Sequence, residues 1–553
     1  MVPPRTRGRT AVNKHFYNSA ETLVADAIDG LILGSGGRLA RLDGYPEIKV
    51  VLRTTRQADR VAVISGGGSG HEPAHAGFVG EGLLDAAVCG DIFASPTVDA
   101  VLAAILAVTG PAGCLLIVKN YGGDRLNFGL AAERARTLGL DVEMVIVGDD
   151  IALPDNPRPR GIAGTIFVHK AAGHAAAAGL PLAEVRRRAA DAAGAVKSLG
   201  VATSTCSIPG RPAEERMEDG HAELGLGIHG EPGLDRIVLP DAAQLVADMI
   251  ARFGTDVREA PQLALLVNNL GGVPALELSI VLREVLTSPI GSRIALVLGP
   301  ACAVTALDMR GFSLSFLPLD DERRAWLTAP VAVPAWPEAH APGPIAVVAP
   351  SARLATHAAV PSENPVARAL LRTICTTLIA AQPQLDALDA RVGDGDTGST
   401  FAAASRKVQD DLDLLPLADP AALCEAIAER LSRVMGGSSG VLLSIFAAAA
   451  GVALRQGASL AAALDAGVGR MSHYGGAEPG DRTMIDALSP AIAALAEGQT
   501  LAAAARAARA GADATAAMTM ARVGRSSYLS GTDLAGVVDP GAEAVARVFE
   551  ALA

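Results

Sequence analysis

Six prolines crowd residues 331 to 361, at positions 334, 337, 342, 344, 350 and 361, among alanines and histidines with no sustained hydrophobic period. Proline lacks a backbone N–H and disfavours helix in the residue before it, so such a stretch continues neither a helix nor an interior strand. The chain has to fold as separate bodies on either side. On the N-terminal side, short β-branched runs alternate with alanine-rich stretches. Val61 to Ile64, Cys114 to Val118 and Val142 to Val147 read as strands, as do Ala264 to Val267 and Ile294 to Leu298, and Leu276 to Val285 reads as a helix. This alternation predicts an α/β domain over residues 13–335 in two parts, a layer with a mostly parallel sheet over 13–195 and a second α/β unit over 196–335. Residues 336–361 are the expected Pro/Ala-rich linker. Beyond it, residues 362–553 carry long amphipathic Ala/Leu patterns broken by glycines and almost no strand runs, which predicts an all-α domain.

Half the residues are hydrophobic but only 3% are aromatic, so both interiors must be built from Ala, Val, Leu and Ile. The net charge of −12 argues against a general affinity for nucleic acid or an anionic membrane, and any phosphate must be bound locally. Cysteines 89, 114, 206, 302, 375 and 424 are scattered with no C-x-x-C pair, which fits a reducing cytoplasm. Residues 3 to 9 are polar and basic and lack the apolar core of a signal peptide. Residues 441 to 454 form the longest nearly apolar run, short of the ~20 needed to cross a bilayer, and read as a buried helix.

Five regions carry groups suited to chemistry. Residues 65 to 78, SGGGSGHEPAHAGF, follow the run Val61 to Ile64 and read as a strand leaving into a tight, side-chain-free turn. Glycines there let backbone N–H groups approach a small polar ligand closely. Pro73 suits the first position of a following helix. His71, Glu72 and His75 satisfy the H-E-x-x-H zinc pattern, but with Pro73 opening the helix His71 falls outside it and cannot share a face with His75. The alternative is a structural turn with a solvated histidine. Lys119 to Asp124 follow a strand, which puts a lysine and a carboxylate at the carboxyl edge of a sheet, where such sheets bind ligands. His229 stands isolated among the glycines of residues 225 to 233.

In the helical part, Asp389, Asp394 and Asp396 lie within eight positions, interleaved with glycine. Like charges so close repel unless a cation sits between them. A calcium hand is excluded because its twelfth position, counted from Asp394, is Ser405, and Mg²⁺ with phosphate oxygens fits better. A solvated acidic turn is the bland reading. Residues 435 to 440, MGGSSG, match a serine-hydrolase elbow in letters but follow a helical pattern over 421 to 434, not a strand. Glycines and hydroxyls opening a helix instead make a phosphate seat.

Taken together, these strings resemble the dihydroxyacetone kinase family in its single-chain ATP-dependent form. The resemblance runs from Lys14-His15-Phe16-Tyr17-Asn18 through SGGGSGHEPAHAGF, KNYGGDRLNFGLA, ELGLGIHGEPG, LDARVGDGDTGST, MGGSSG, EPGDRTMIDAL and GRSSYL to the DPGA that begins at Asp539. It implies a two-part α/β ketose domain, a nucleotide domain built as a barrel of antiparallel helices, and a cytoplasmic homodimer that uses ATP and Mg²⁺. It also implies that His229 adds to the ketone carbon as a covalent hemiaminal. Gly68, Ser69, Gly70, His71, Lys119 and Asp124 would hold the ketose, with His71 or Asp124 as the base. Asp389, Asp394 and Asp396 would hold Mg²⁺. Thr397, Gly398, Ser399, Thr400, Ser438, Ser439, Arg482, Asp539, Pro540 and Gly541 would line the nucleotide. Gly122 stands where relatives usually carry Thr, which suggests a loosened ketose loop and brings erythrulose beside dihydroxyacetone as a substrate. A non-catalytic ketose sensor is the reading from another class, and a flavin-nucleotide lyase activity is a further possibility of the family.

Overall fold

The computed structural model describes residues 15–211, 217–351, 360–435, 437–529 and 531–553. The chain divides into two compact units, Met1–Ala346 and Val347–Ala553, the break falling inside the expected linker. The start of that linker belongs to the first unit. Trp336 is buried there beside Lys170, and Ala339–His340 pairs with a strand of the second sheet, so proline only punctuates a segment that tertiary contacts hold.

The first unit has two sheets. Strands β1 (Leu39–Arg41), β2 (Val50–Arg53), β3 (Ala62–Ser69), β4 (Ala86–Ile92), β5 (Cys114–Lys119) and β6 (Val142–Val147) form the first, in the order β1-β2-β4-β3-β5-β6. Its β4-β3-β5-β6 portion is parallel. The second joins β7 (Lys197–Ala202), β8 (His221–Leu224), β9 (Asp235–Val238), β10 (Leu263–Asn269), β11 (Ile294–Ala301), β12 (Gly311–Pro318) and β13 (Ala339–His340), in the order β13-β11-β10-β12-β7-β8-β9. Side-chain alternation along β5 explains the layering. Leu116 and Val118 pack with the helices Val98–Val108 and Gly122–Thr137, whereas Leu115 and Ile117 face the helix Thr165–Ala177. That helix is buried on nearly every side, because its cluster also takes in Leu266, Leu298 and Leu317 of the second sheet. The far face of the second sheet is covered by Ala242–Ala251 and Ala275–Thr287.

Two local expectations fail. The glycines after Ile64 do not begin a turn: β3 runs on through Gly66, Gly67 and Gly68 to Ser69. A β-carbon at Gly66 would overlap the Val88 carbonyl oxygen of β4, and one at Gly68 would lie 2.7 Å from the Ala94 nitrogen. The glycines therefore serve close strand approach. Nor does Pro73 open an α-helix, since only a single 3₁₀ turn, Ala76–Phe78, follows. His71 and His75 share no helix face, and the zinc reading has no structural support.

The second unit is helical. Pro365–Val392, Thr397–Asp410, Pro420–Val434, Gly437–Arg455, Leu460–Gly475, Ile485–Ala496, Leu501–Thr515 and Pro540–Leu552 pack each against the next, and the last returns to the first, closing a ring. Asn364, Asp419 and Asp539 cap their helices from the side chain with proline at the first turn, and Ser459 and Thr500 cap two more. Alanines 487, 491, 504, 508, 542 and 546 form one buried seam, as the scarcity of aromatics requires. The run 441 to 454 is helical, but Val441 and Val452 are exposed, so it is not the buried helix expected. No helix of the described residues is long and apolar enough to cross a membrane.

Candidate active site

The parallel strands of the first sheet end together, and their carboxyl edge gathers polar groups. Lys119 is the last residue of β5 and Asp124 lies in the first turn of the helix that follows; both are buried. Ser95 donates to Asp124 Oδ1 at 2.5 Å. Burial raises the Asp124 carboxyl above its ordinary range, against the pull of Lys119, Ser95 and His229. Burial lowers Lys119, opposed chiefly by Asp124 and Glu231, and its Nζ has no hydrogen-bond partner among the described residues.

His229 arrives from the second sheet, in the loop joining β8 to β9. Arg160 holds that loop, its Nε donating to Asp150 Oδ2 at 2.8 Å and its Nη2 to the Gly225 carbonyl at 2.7 Å. His229 Nδ1 lies 2.9 Å from Glu231 Oε1, and its backbone N–H donates to Oε2 of the same carboxylate. Burial works to raise Glu231, but the His229 contacts and backbone hydrogen bonds prevail and hold it at about 2. The His229 ring is boxed edge-on by Tyr121 and Phe93, at 4.6 and 5.2 Å between centroids.

His71 meets it. Its Nδ1 lies 2.7 Å from the Thr305 carbonyl oxygen, and its Nε2 lies 3.0 Å from His229 Nε2. A carbonyl and an ionised carboxylate can only accept, so each ring keeps a proton on Nδ1. Two bare Nε2 lone pairs would repel at this distance, so the contact takes one proton between them. Burial, then Lys119 and His229, draw His71 well below its ordinary range. A nucleophilic Nε2 on His229 therefore requires the contact to open and that proton to move.

The other residues expected to hold ligand make internal contacts. Ser69 Oγ donates to the Gly90 carbonyl at 2.8 Å, and the Gly70 N–H donates to the Glu72 carboxylate. Gly122 is exposed and a β-carbon there would meet nothing within 4 Å, so a larger residue would find room at this position.

In the second unit, carboxylate oxygens of Asp389, Asp394 and Asp396 all lie within 4.8 Å of one another. Asp389 is buried, and its Oδ2 accepts from the N–H groups of Gly395, Asp396 and Thr397 at 3.0, 2.9 and 3.1 Å. Asp394 and Asp396 are exposed. Asp386 takes both the N–H and the hydroxyl of Ser399 at 2.8 Å, and Gly398 is required where the helix passes the Gln382 carbonyl. Thr400 lies in the first turn of the same helix, its N–H donating to the Asp396 carbonyl.

Arg482 sits in a left-handed conformation, φ 63°, fully buried. Its Nη2 donates to the Val537 carbonyl at 2.8 Å, while Nε and Nη1 have no partner among the described residues. Burial lifts Asp539 to about 6, and Asp539 caps the helix begun by Pro540 and Gly541. Val537 clusters with Val392 and Leu388, and Met484 with Phe401 and Met435, so the Arg482, Asp539 and Asp389 loops share one end of the ring. Ser439 lies in the first turn of the helix Gly437–Arg455; the side chain of Ser438, like Lys14 and Gly436, lies outside the described residues.

Sequence reading missed Ser95, Thr305, Glu231 and Arg160. Glu231 alone had a signal, standing two residues past His229 in the same glycine loop; Thr305 lies far along the chain and becomes a partner only through folding.

The Dak1 domain matches residues 37–335 and the DAK2 domain residues 391–553. The chain is similar to a dihydroxyacetone kinase of Citrobacter freundii, 53% identical over 98% of this chain and 99% of that one. It is 40% identical to the triokinase/FMN cyclase of Mus musculus over 98% of each. The crystal structure of the C. freundii dihydroxyacetone kinase in complex with AMP-PNP and Mg²⁺ superposes with a TM-score of 0.82 at 52% identity, covering 98% of this chain and 99% of that one.

Proposed function

The chain belongs to the dihydroxyacetone kinase family and is an ATP-dependent kinase, and on that premise we propose that it phosphorylates a terminal hydroxyl of dihydroxyacetone held as a covalent adduct of His229. The supporting observation is the contact between buried His71 and half-buried His229, with Glu231 holding the His229 ring so that its Nε2 faces His71. In the proposed step the Nε2 lone pair adds to the ketone carbon. The C–N bond forms, the carbonyl π bond breaks onto oxygen, and that oxygen takes the proton the two rings shared. Glycerol has no carbonyl and is refused. Asp124, made more basic by burial and oriented by Ser95, takes the proton of the hydroxyl that receives the phosphoryl group. Lys119 offers its ammonium to ketose oxygens.

Asp389, Asp394 and Asp396 fit a divalent cation, since three acidic oxygens so close need an opposing charge. Mg²⁺ held there would supply neutralisation of the ATP phosphates. Arg482, whose Nε and Nη1 have no partner among the described residues, and the first helical turns that hold Thr397 and Ser439 would orient them. By resemblance to the family the protein works as a cytoplasmic homodimer, and the mass from sedimentation equilibrium would check the dimer. The test of function is ADP release with Mg-ATP and dihydroxyacetone, D- and L-erythrulose or glycerol. Preference for dihydroxyacetone supports the reading, preference for erythrulose makes it a tetrulose kinase, and no ketose dependence overturns it.

A further inference from the structure

His75 belongs to none of these roles, yet its surroundings are those of a ligand site. It is 4% exposed. Ser65 Oγ donates its single proton to the Ile117 carbonyl at 2.7 Å. Its two other contacts, His75 Nδ1 at 3.3 Å and His169 Nε2 at 3.1 Å, must then be donated by the imidazoles. This fixes the His75 tautomer: the proton is on Nδ1, and Nε2 is a bare acceptor. Burial, then Lys119 and His169, hold the ring well below its ordinary range, so it stays neutral. His75 Nε2 has no hydrogen-bond partner among the described residues, and neither has Lys119 Nζ.

Gly67 shows where these groups point. Around the place its β-carbon would occupy, the nearest atoms are Asp124 Oδ2 at 3.5 Å, Lys119 Cε at 3.6 Å and His75 Nε2 at 3.8 Å. All three are ordinary contact distances, so the missing side chain leaves an atom-sized place ringed by a carboxylate, the end of a lysine and an imidazole lone pair. Lysine can only donate, and Asp124 is assigned to the reacting hydroxyl, which leaves a second hydroxyl without an acceptor unless His75 supplies it.

We propose that His75 Nε2 accepts a hydrogen bond from the ketose hydroxyl that is not phosphorylated, making His75 a substrate-recognition residue for ketoses hydroxylated on both sides of the carbonyl. The inference rests on the ketose-adduct reading above. It is tested by comparing dihydroxyacetone with hydroxyacetone, which lacks one hydroxyl, in the wild type, His75→Gln and His75→Asn, each checked for folding by thermal melting. Adducts are read by intact mass and phosphorylation by kcat and KM.

The wild type should prefer dihydroxyacetone by roughly tenfold or more in KM, the worth of one buried hydrogen bond. Glutamine, whose amide oxygen can reach the Nε2 position, should keep most of that preference. Asparagine reaches only the Nδ1 position, so it should lose the preference by weakening dihydroxyacetone while leaving hydroxyacetone unchanged. Equal weakening of both ketones, or asparagine and glutamine behaving alike, overturns the role of His75. Should neither variant fold, the wild-type ratio decides, and a value near one overturns it. Absence of any adduct with either ketone sinks the parent reading as well, and so is told apart from failure at His75 alone.

Discussion

The two units solve the problem of reactive groups in opposite ways. In the first, His71, His75, Lys119 and Asp124 are all buried, and burial shifts each toward its neutral form. In the second, Asp394 and Asp396 stand exposed beside the buried Asp389, like charges kept together by backbone N–H groups. One site keeps these groups from water; the other leaves two of its three carboxylates in it. On the roles proposed above, ketose chemistry and phosphate chemistry place contrary demands on solvation, and each unit would meet one of them.

Breaking each side separately is the strongest test of that contrast. His229→Ala should abolish the ketose adduct seen by intact mass while nucleotide binding, followed by titration calorimetry with Mg-ATP, is unchanged. Asp394→Ala should do the reverse, cutting ADP release by about a hundredfold or more while the adduct still forms. Either variant disturbing both readouts would erase the separation. Glu231→Gln keeps the shape but removes the charge facing His229 Nδ1, and adduct affinity should fall about ten- to a hundredfold, measured by ketose titration.

A subtler test exploits a carboxylate of the helical unit that is treated like the first unit's. Asp539 titrates near 6 when folded, above its ordinary 3.8, because burial penalises its ionised form. Between these values the folded state binds a proton that the unfolded state releases, so this stability is present at low pH and is lost as pH rises through about 6. Asp539→Asn retains a cap acceptor and should stabilise the helical unit by about 1–3 kcal/mol at pH 7.5, an advantage that vanishes by pH 4 in denaturant titrations. The smallest effect is expected at Gly122. Thr there meets open space, so kcat/KM for either ketose should hold and stability should change by less than about 0.5 kcal/mol.

Periodicity located most elements because their patterns are local. Val142 to Val147 is a strand with those same ends, and Ile294 to Leu298 lies within β11. The acidic triad was legible too, since a helix end and a glycine loop bring residues so close in sequence together. What sequence could not convey was tertiary. Gly66 looks like turn material until Val88 of a neighbouring strand explains why no side chain fits. Thr305, which fixes the His71 tautomer, and Ser95, which orients Asp124, carry no local mark at all. His75 was visible only as part of a failed zinc pattern, because its Ser65 partner is displayed by the pleat of β3 and not by any spacing.

The two tryptophans of the chain, Trp326 and Trp336, are both buried in the first unit. Fluorescence excited at the red edge of protein absorption therefore comes from one half of the molecule. Its emission maximum will follow the melting of the first unit alone, while far-ultraviolet dichroism is weighted toward the helical one. A single unlabelled sample thus carries two colours of signal, and a lag between them would time the order in which the halves come apart.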